Sequence, residues 1–176
     1  MTLRSVLSFV LALPLSLTLM SCRQSSPRGG AQEPDCVPRL TLTNLRLLVA
    51  AWQGSVEEMD AMIKAGADVN TFDSLLGTPI VAAADSGNHK AVELLVSKGA
   101  NVNATDNDGQ TALMKAARSG NGDTVRLLIS KGADVNSTCY PLINGKRTSK
   151  FTALTFAKWK KNEDIIKLLT DAGARE

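Results

Sequence analysis

The chain has 176 residues, a formal net charge of +3 and 44% hydrophobic residues, which fits one domain of ordinary size with a continuous core plus a short leader. The charge falls by one if Arg4 leaves with that leader, too weak a balance to point to nucleic acid as a partner. Three cysteines and one histidine are a poor inventory for a metal centre, and no metal or other cofactor is expected.

Residues 1–21 read as a signal peptide. Arg4 supplies a weak positive start, and Val6 to Met20 is apolar but too short and serine-interrupted to span a membrane. The segment ends Leu19-Met20-Ser21-Cys22. It resembles the bacterial lipobox, with a large aliphatic residue three before a cysteine and a small residue directly before it. The resemblance implies a mature chain that starts at Cys22, acylated on its thiol and amine. Several acyl chains on one residue anchor stably where a single chain is marginal. An ordinary secretory signal cleaved nearby is the other reading. Arg23 follows the cysteine; in enteric bacteria an aspartate there favours the inner membrane, so the expectation leans to the outer membrane, facing the periplasm. Residues 22–44 form the lipidated cysteine and a flexible tether, with 23–38 rich in Gln, Ser, Pro and Gly.

The remaining chain, 45–176, repeats. Thr78, Gly87, Gly99 and Asn103 return 33 residues later as Thr111, Gly120, Gly132 and Asn136, and the same step backwards lands on Gly54, Gly66 and Asn70. A fixed period of this length marks a solenoid, in which each unit buries its apolar face against its neighbours. The units fall at about 45–77, 78–110, 111–151 and 152–176. Each reads as two short antiparallel helices and a protruding turn, so the fold class is an all-α repeat solenoid of four helix-turn-helix units.

In the second unit Thr78 is placed to cap the first helix through its hydroxyl, with Pro79 at N1 where its missing N–H does no harm. Ala82, Ala83 and Ala84 permit close helix approach, and Gly87 breaks the chain between helices. Val92, Leu95 and Val96 form an apolar stripe. Asn103 can tie the following turn to the backbone. The third unit repeats this with Leu113, Ala116, Val125, Leu128 and Ile129. The first unit starts with Leu45-Arg46 in place of Thr-Pro. The last starts at Thr152 after a step of 41, so eight residues are inserted ahead of it, and Lys161 stands where the other units have glycine. The chain stops two residues after Ala174, so this unit reads as the C-terminal cap.

Thr78-Pro79-Ile80-Val81-Ala82-Ala83 and the endings Gly-Ala-Asp/Asn-Val-Asn at 66–70, 99–103 and 132–136 resemble the ankyrin repeat, over residues 45–174. The family's histidine is replaced by Leu48, Val81, Met114 and Thr155, so its hydrogen bonds between units cannot be carried over, and more stability must come from packing. The resemblance implies a macromolecule-binding surface. Positions just before the inter-helix break, which face the concave side in such stacks, give the column Trp52, Asp85, Arg118, Trp159, followed by Gln53, Ser86, Ser119, Lys160. Tryptophan and arginine are frequent binding hot spots, although each Trp could instead cover the apolar end of a terminal unit. Phe72, Leu75 and Leu76 stand in a turn that is usually polar, as a contact patch or folded against the next turn. In the insert, Asn144-Gly145 is a hairpin signal between Leu142-Ile143 and Lys146-Arg147, with Tyr140 ahead of it, which predicts a long projecting finger. Lys146, Arg147, Lys150, Lys158, Lys160 and Lys161 fall in a stretch without acids, either a solvated face or a patch for an acidic protein surface or anionic lipid.

Chemistry finds little support. His89 is the sole histidine and falls between two helices, and no nucleophile elbow or phosphate loop occurs. Asp106-Asn107-Asp108-Gly109 has a calcium-loop flavour but lacks the closing glutamate. Cys36 and Cys139 start roughly 25–30 Å apart if each hugs its own unit, given helix spacings near 10 Å, so a disulfide between them needs a fold-back. The expectation is a non-enzymatic, lipid-anchored protein-binding module. It resembles immunity proteins that neutralise antibacterial effectors such as phospholipases. It also resembles periplasmic ankyrin proteins that protect a resident enzyme such as catalase. A third reading is an envelope protein that binds lipid through the basic patch.

Overall fold

The computed structural model describes residues 41–140, 142–143, 146–147 and 150–175. The expected signal peptide, Cys22 and Cys36 lie outside them. Among the described residues the chain forms eight helices in four antiparallel pairs: α1 Leu42–Gln53 with α2 Val56–Lys64, α3 Pro79–Asp85 with α4 His89–Ser97, α5 Ala112–Ser119 with α6 Gly122–Ser130, and α7 Ala153–Trp159 with α8 Glu163–Asp171. The first helices α1, α3, α5 and α7 pack side by side in sequence order, and the second helices form a parallel layer over them. The expected all-α repeat solenoid is the observed architecture. Its first helix starts within the stretch assigned to the tether, because Thr41 caps it: the Thr41 hydroxyl accepts the Asn44 N–H at 3.2 Å.

The core runs continuously through the stack. Leu47, Ala50, Met59, Ile80, Ala83, Leu95, Leu113, Ala116, Leu128, Ile165 and Leu169 are all buried. Alanine at the crowded positions lets the helices of adjacent units approach closely, and the long apolar side chains fill the space between layers. Leu48, Val81 and Met114, which replace the expected histidine, are buried and contribute by packing.

Packing is not the only tie between units. Asn103 Nδ2 donates to the Gly132 carbonyl at 3.3 Å and its Oδ1 accepts the Asp134 N–H at 2.8 Å. Asn70 does the same to Gly99 and Asn101, and Asn136 to Gly173 and Arg175. A second rung lies at the helix starts. Asn88 and Asn121 cap α4 and α6 with Oδ1, while Nδ2 reaches back to the Gly54 and Gly87 carbonyls of the preceding unit at 3.0 and 2.7 Å. Asparagine side chains thus supply hydrogen bonds between units alongside the packing.

Two local expectations are corrected, and a third position keeps the repeat's backbone. Thr78 sits at the N-cap of α3 but its hydroxyl makes no cap bond and is buried without a partner, whereas Thr111 and Thr152 do cap their helices. His89 is the first residue of α4 rather than a turn residue, and its Nδ1 lies 3.4 Å from the Thr124 hydroxyl of the next unit. Lys161 adopts the glycine conformation, φ 56°, at the position where Gly54, Gly87 and Gly120 have φ of 74° to 83°.

Candidate functional site

Three features bear on a binding surface: the column at the ends of the first helices, the turns between units, and the insert before α7. The column is set by the repeat. Trp52 lies in the last turn of α1 and is 39% exposed, and Trp159 ends α7 and is 67% exposed. Between them, Asp85 on α3 and Arg118 on α5 form an ion pair across the unit boundary, each about one-third exposed. The pair satisfies both charges, so these two residues join units as well as offering a surface. The tryptophans lie three helix steps apart, roughly 25–30 Å at usual spacings, and make two separate aromatic points. Lys160 Nζ sits 5.3 Å from the Trp159 ring centroid, a cation–π contact that holds the ammonium beside the indole.

The turns differ in how their tips are tied. Asp73 closes the first turn by accepting the Leu75 and Leu76 N–H groups. That fixes Phe72 and Leu75 outwards, 50% and 70% exposed, with Leu76 partly buried. Asp106 occupies the equivalent place in the next turn. Its Oδ1 accepts the Asp108 and Gln110 N–H groups, and its other oxygen meets Lys115 Nζ at 2.8 Å. The carboxylate that a calcium reading would use is already engaged as the anchor of a turn over a largely buried ammonium. Asn107 Nδ2 donates to the Ser74 carbonyl, which links the two tips.

Cys139 takes the aspartate's place in the third turn. A thiol cannot gather two backbone N–H groups as a carboxylate does, and it is here that the extra residues enter. The base is held by reciprocal 2.9 Å bonds between Cys139 and Phe151, reinforced by Phe151 against Phe156 at 5.2 Å between ring centroids. The strands β1 Leu142–Ile143 and β2 Lys146–Arg147 pair antiparallel, Ile143 opposite Lys146, the hairpin expected from the sequence. Tyr140 at its foot is 51% exposed. The Cys139 thiol is buried among the described residues and is pushed up to about 11 by desolvation and by the nearby Asp106 and Asp108 carboxylates. It is therefore a poor nucleophile at neutral pH.

The structure does not gather the sequence-predicted residues into one cleft. It sets Trp52, the Asp85–Arg118 pair and Trp159 in a row, Phe72 and Leu75 on one turn, and the hairpin at the last junction. Two features were missed. The Lys115–Asp106 pair lies between positions that pair alanine with aspartate in the preceding unit. The other is a cleft of about 270 Å³ lined by Lys150, Thr152, Leu154, Thr155 and Lys158. Reading down Ala51, Ala84, Ala117 and Lys158 would have found it.

A family model of ankyrin repeats, three copies long, matches residues 47–139. That is more than half of the chain, and the protein belongs to the ankyrin-repeat family. Ankyrin repeats are in general protein–protein interaction modules and typically not enzymes. The match ends where the insert begins. A search of curated proteins found no match.

Proposed function

We propose that the chain is a lipid-anchored, periplasm-facing binding module that acts as an immunity protein, neutralising an antibacterial effector such as a secreted phospholipase. The observation that carries the reading is the joining of a lipobox-like Leu19-Met20-Ser21-Cys22 to a protein-binding repeat stack through a tether rich in Gln, Ser, Pro and Gly. An inhibitor fixed to the envelope stands beside the membrane that such a toxin attacks. The separated tryptophans give a stack of this size two aromatic contact points set by the helical scaffold, as a preformed inhibitory surface requires.

The test has two arms. Cells expressing the full chain are labelled with an alkyne-tagged palmitate; label on the wild type and none on Cys22→Ala supports the anchor, and equal label on both refutes it. Purified protein is then titrated against phospholipase effectors from neighbouring species. Stoichiometric inhibition that is lost when residues 141–147 are replaced by a short Gly-Ser turn supports the role. A salt-resistant complex with a resident catalase and no effect on any effector would replace it with enzyme protection.

A further inference from the structure

The row of asparagines at the helix starts carries a chemical weak point. Asn88, Asn121 and Asn162 hold the same place in successive units and cap α4, α6 and α8. Asn88 is followed by His89 and Asn162 by Glu163, whereas Asn121 is followed by Gly122. Nothing in the fold calls for that glycine. It has no positive φ, and a Cβ on it would meet Arg126 and Leu168 only at 3.8 and 4.0 Å, ordinary contact distances. One unit earlier the same place is useful to the stack, since His89 Nδ1 lies 3.4 Å from the Thr124 hydroxyl. Glycine in a helix also loses stability through the freedom of its unfolded chain. Both ends of the Asn121 carboxamide are structural. Its Oδ1 accepts the Thr124 N–H at 3.1 Å, and its Nδ2 donates to the Gly87 carbonyl of the second unit at 2.7 Å. Asn162 caps α8 through the Ile165 N–H and among the described residues makes no matching bond to Gly120, so Asn121 supplies the last bond of this row.

We propose that Asn121 is a deamidation site gated by opening of the third unit, and that the reaction turns a transient opening into a permanent weakening of the junction with the second unit. The Gly122 backbone nitrogen bonds to Asn121 Cγ and gives up its proton, and Nδ2 leaves as ammonia. Water then opens the cyclic imide at either carbonyl and leaves aspartate or isoaspartate at 121. The steps need water and no oxidant or reductant. Glycine favours ring closure because it has no Cβ to crowd the attacking nitrogen and leaves the backbone free to rotate. In the closed stack the carboxamide must first leave both of its bonds, so the folded unit holds the reaction off. Local opening, which repeat arrays undergo unit by unit, releases it. Aspartate at 121 still caps α6, and its charge suits a helix N-terminus. It nevertheless sets an acceptor against the Gly87 carbonyl where a donor stood. Isoaspartate also adds a methylene to the main chain and displaces the cap. The inference is independent of what the stack binds.

The test incubates the full chain at mildly alkaline pH, both folded and unfolded in urea. Peptide mass spectrometry then follows residue 121 and separates aspartate from isoaspartate. Asn121 should react in urea and about tenfold or more slowly when folded, with Asn88 and Asn162 slower than Asn121 in urea. Gly122→Ala should suppress the reaction in urea, where its effect on folding plays no part. Asn103→Ala, which loosens the stack at another tie, should speed the folded-state reaction and leave the urea rate unchanged. Asn121→Asp should speed amide exchange in α6 about two- to tenfold. An inert Asn121 in urea, or equal reaction at Asn88 and Asn162, would overturn the site. Equal rates folded and in urea would overturn the gating, and wild-type exchange in Asn121→Asp would overturn the weakening.

Discussion

Lys161 offers the sharpest test of how the repeat is built. It holds φ 56° at a position filled by glycine in the other three units. An L-residue in the left-handed region is disfavoured by about 1–2 kcal/mol relative to the right-handed one. Glycine removes that strain but loses about 0.5–1 kcal/mol through the greater freedom of its unfolded chain. Lys161→Gly should therefore stabilise the last unit by about 0.5–1 kcal/mol, which raises Tm by about 2–4 °C for a domain of this size. The converse is available one unit earlier. At Gly120, φ 83°, an added Cβ would meet Asn162 Nδ2 at 3.6 Å, an ordinary contact. Gly120→Ala thus adds left-handed strain with no clash and, after the entropy gained by losing a glycine, should destabilise by about 0.5–1 kcal/mol. Because units at the end of a repeat array open locally, amide exchange in α8 is the more direct readout. Protection of the buried Ile165 and Leu169 should rise about two- to fivefold in Lys161→Gly if opening of the last pair governs it. Unchanged or lower protection in Lys161→Gly, together with a neutral Gly120→Ala, would show that this junction is not strained and would refute the argument.

Other predictions follow from the ties between units. Asn103→Ala removes one donated and one accepted inter-unit bond at an exposed site and should lower stability by about 1–2 kcal/mol in urea denaturation; Asn103→Asp, which keeps the acceptor, should lie between it and the wild type. Lys115→Met leaves Asp106 without its cation. Its side chain and that of Asp106 are only 10% and 14% exposed, so a loss of about 2–4 kcal/mol is expected, near the range for breaking a buried pair. The Cys139 thiol is raised from 9.0 to about 11. Between those values the unfolded chain releases its proton while the folded one keeps it, so stability falls as pH rises from about 9 to 11. Cys139→Ala should flatten that part of the pH profile relative to wild type, and an unchanged difference across the range would contradict the burial argument. Gly122 opens α6 without positive φ, and a Cβ there meets only Arg126 and Leu168 at 3.8 and 4.0 Å. Gly122→Ala should accordingly raise stability by about 0.4–1 kcal/mol.

The fold was legible because its signals recur. A glycine that must take positive φ, an alanine that must admit a neighbouring helix and an asparagine that must reach the next turn each return at the same spacing, so one reading is checked several times over. The roles of single residues were less legible. Asn103 was expected to tie the turn that follows it to the backbone; its amide instead spans two units, to Gly132 and Asp134, and nothing in one repeat reveals that its partners are in the next. Arg118 was read as a contact residue, although Asp85 lies one period before it in the same column. Thr78 has the sequence of a helix cap and does not act as one. The Phe151–Phe156 contact that braces the insert depends on how the inserted segment returns, which periodicity does not encode.

The departures from periodicity converge on one junction. Cys139 replaces the turn-closing aspartate, the hairpin enters beside it, Lys161 takes a glycine's conformation, and Lys158 takes the place of a buried alanine. A unit kept only to seal the stack would need a polar face and nothing more. Strain at Lys161 is a feature that packing alone would not favour. A surface that trades local stability for projecting, cationic and aromatic groups is the expected signature of a recognition site carried on a rigid scaffold. The last junction, more than the regular column, is therefore where partner specificity is to be sought.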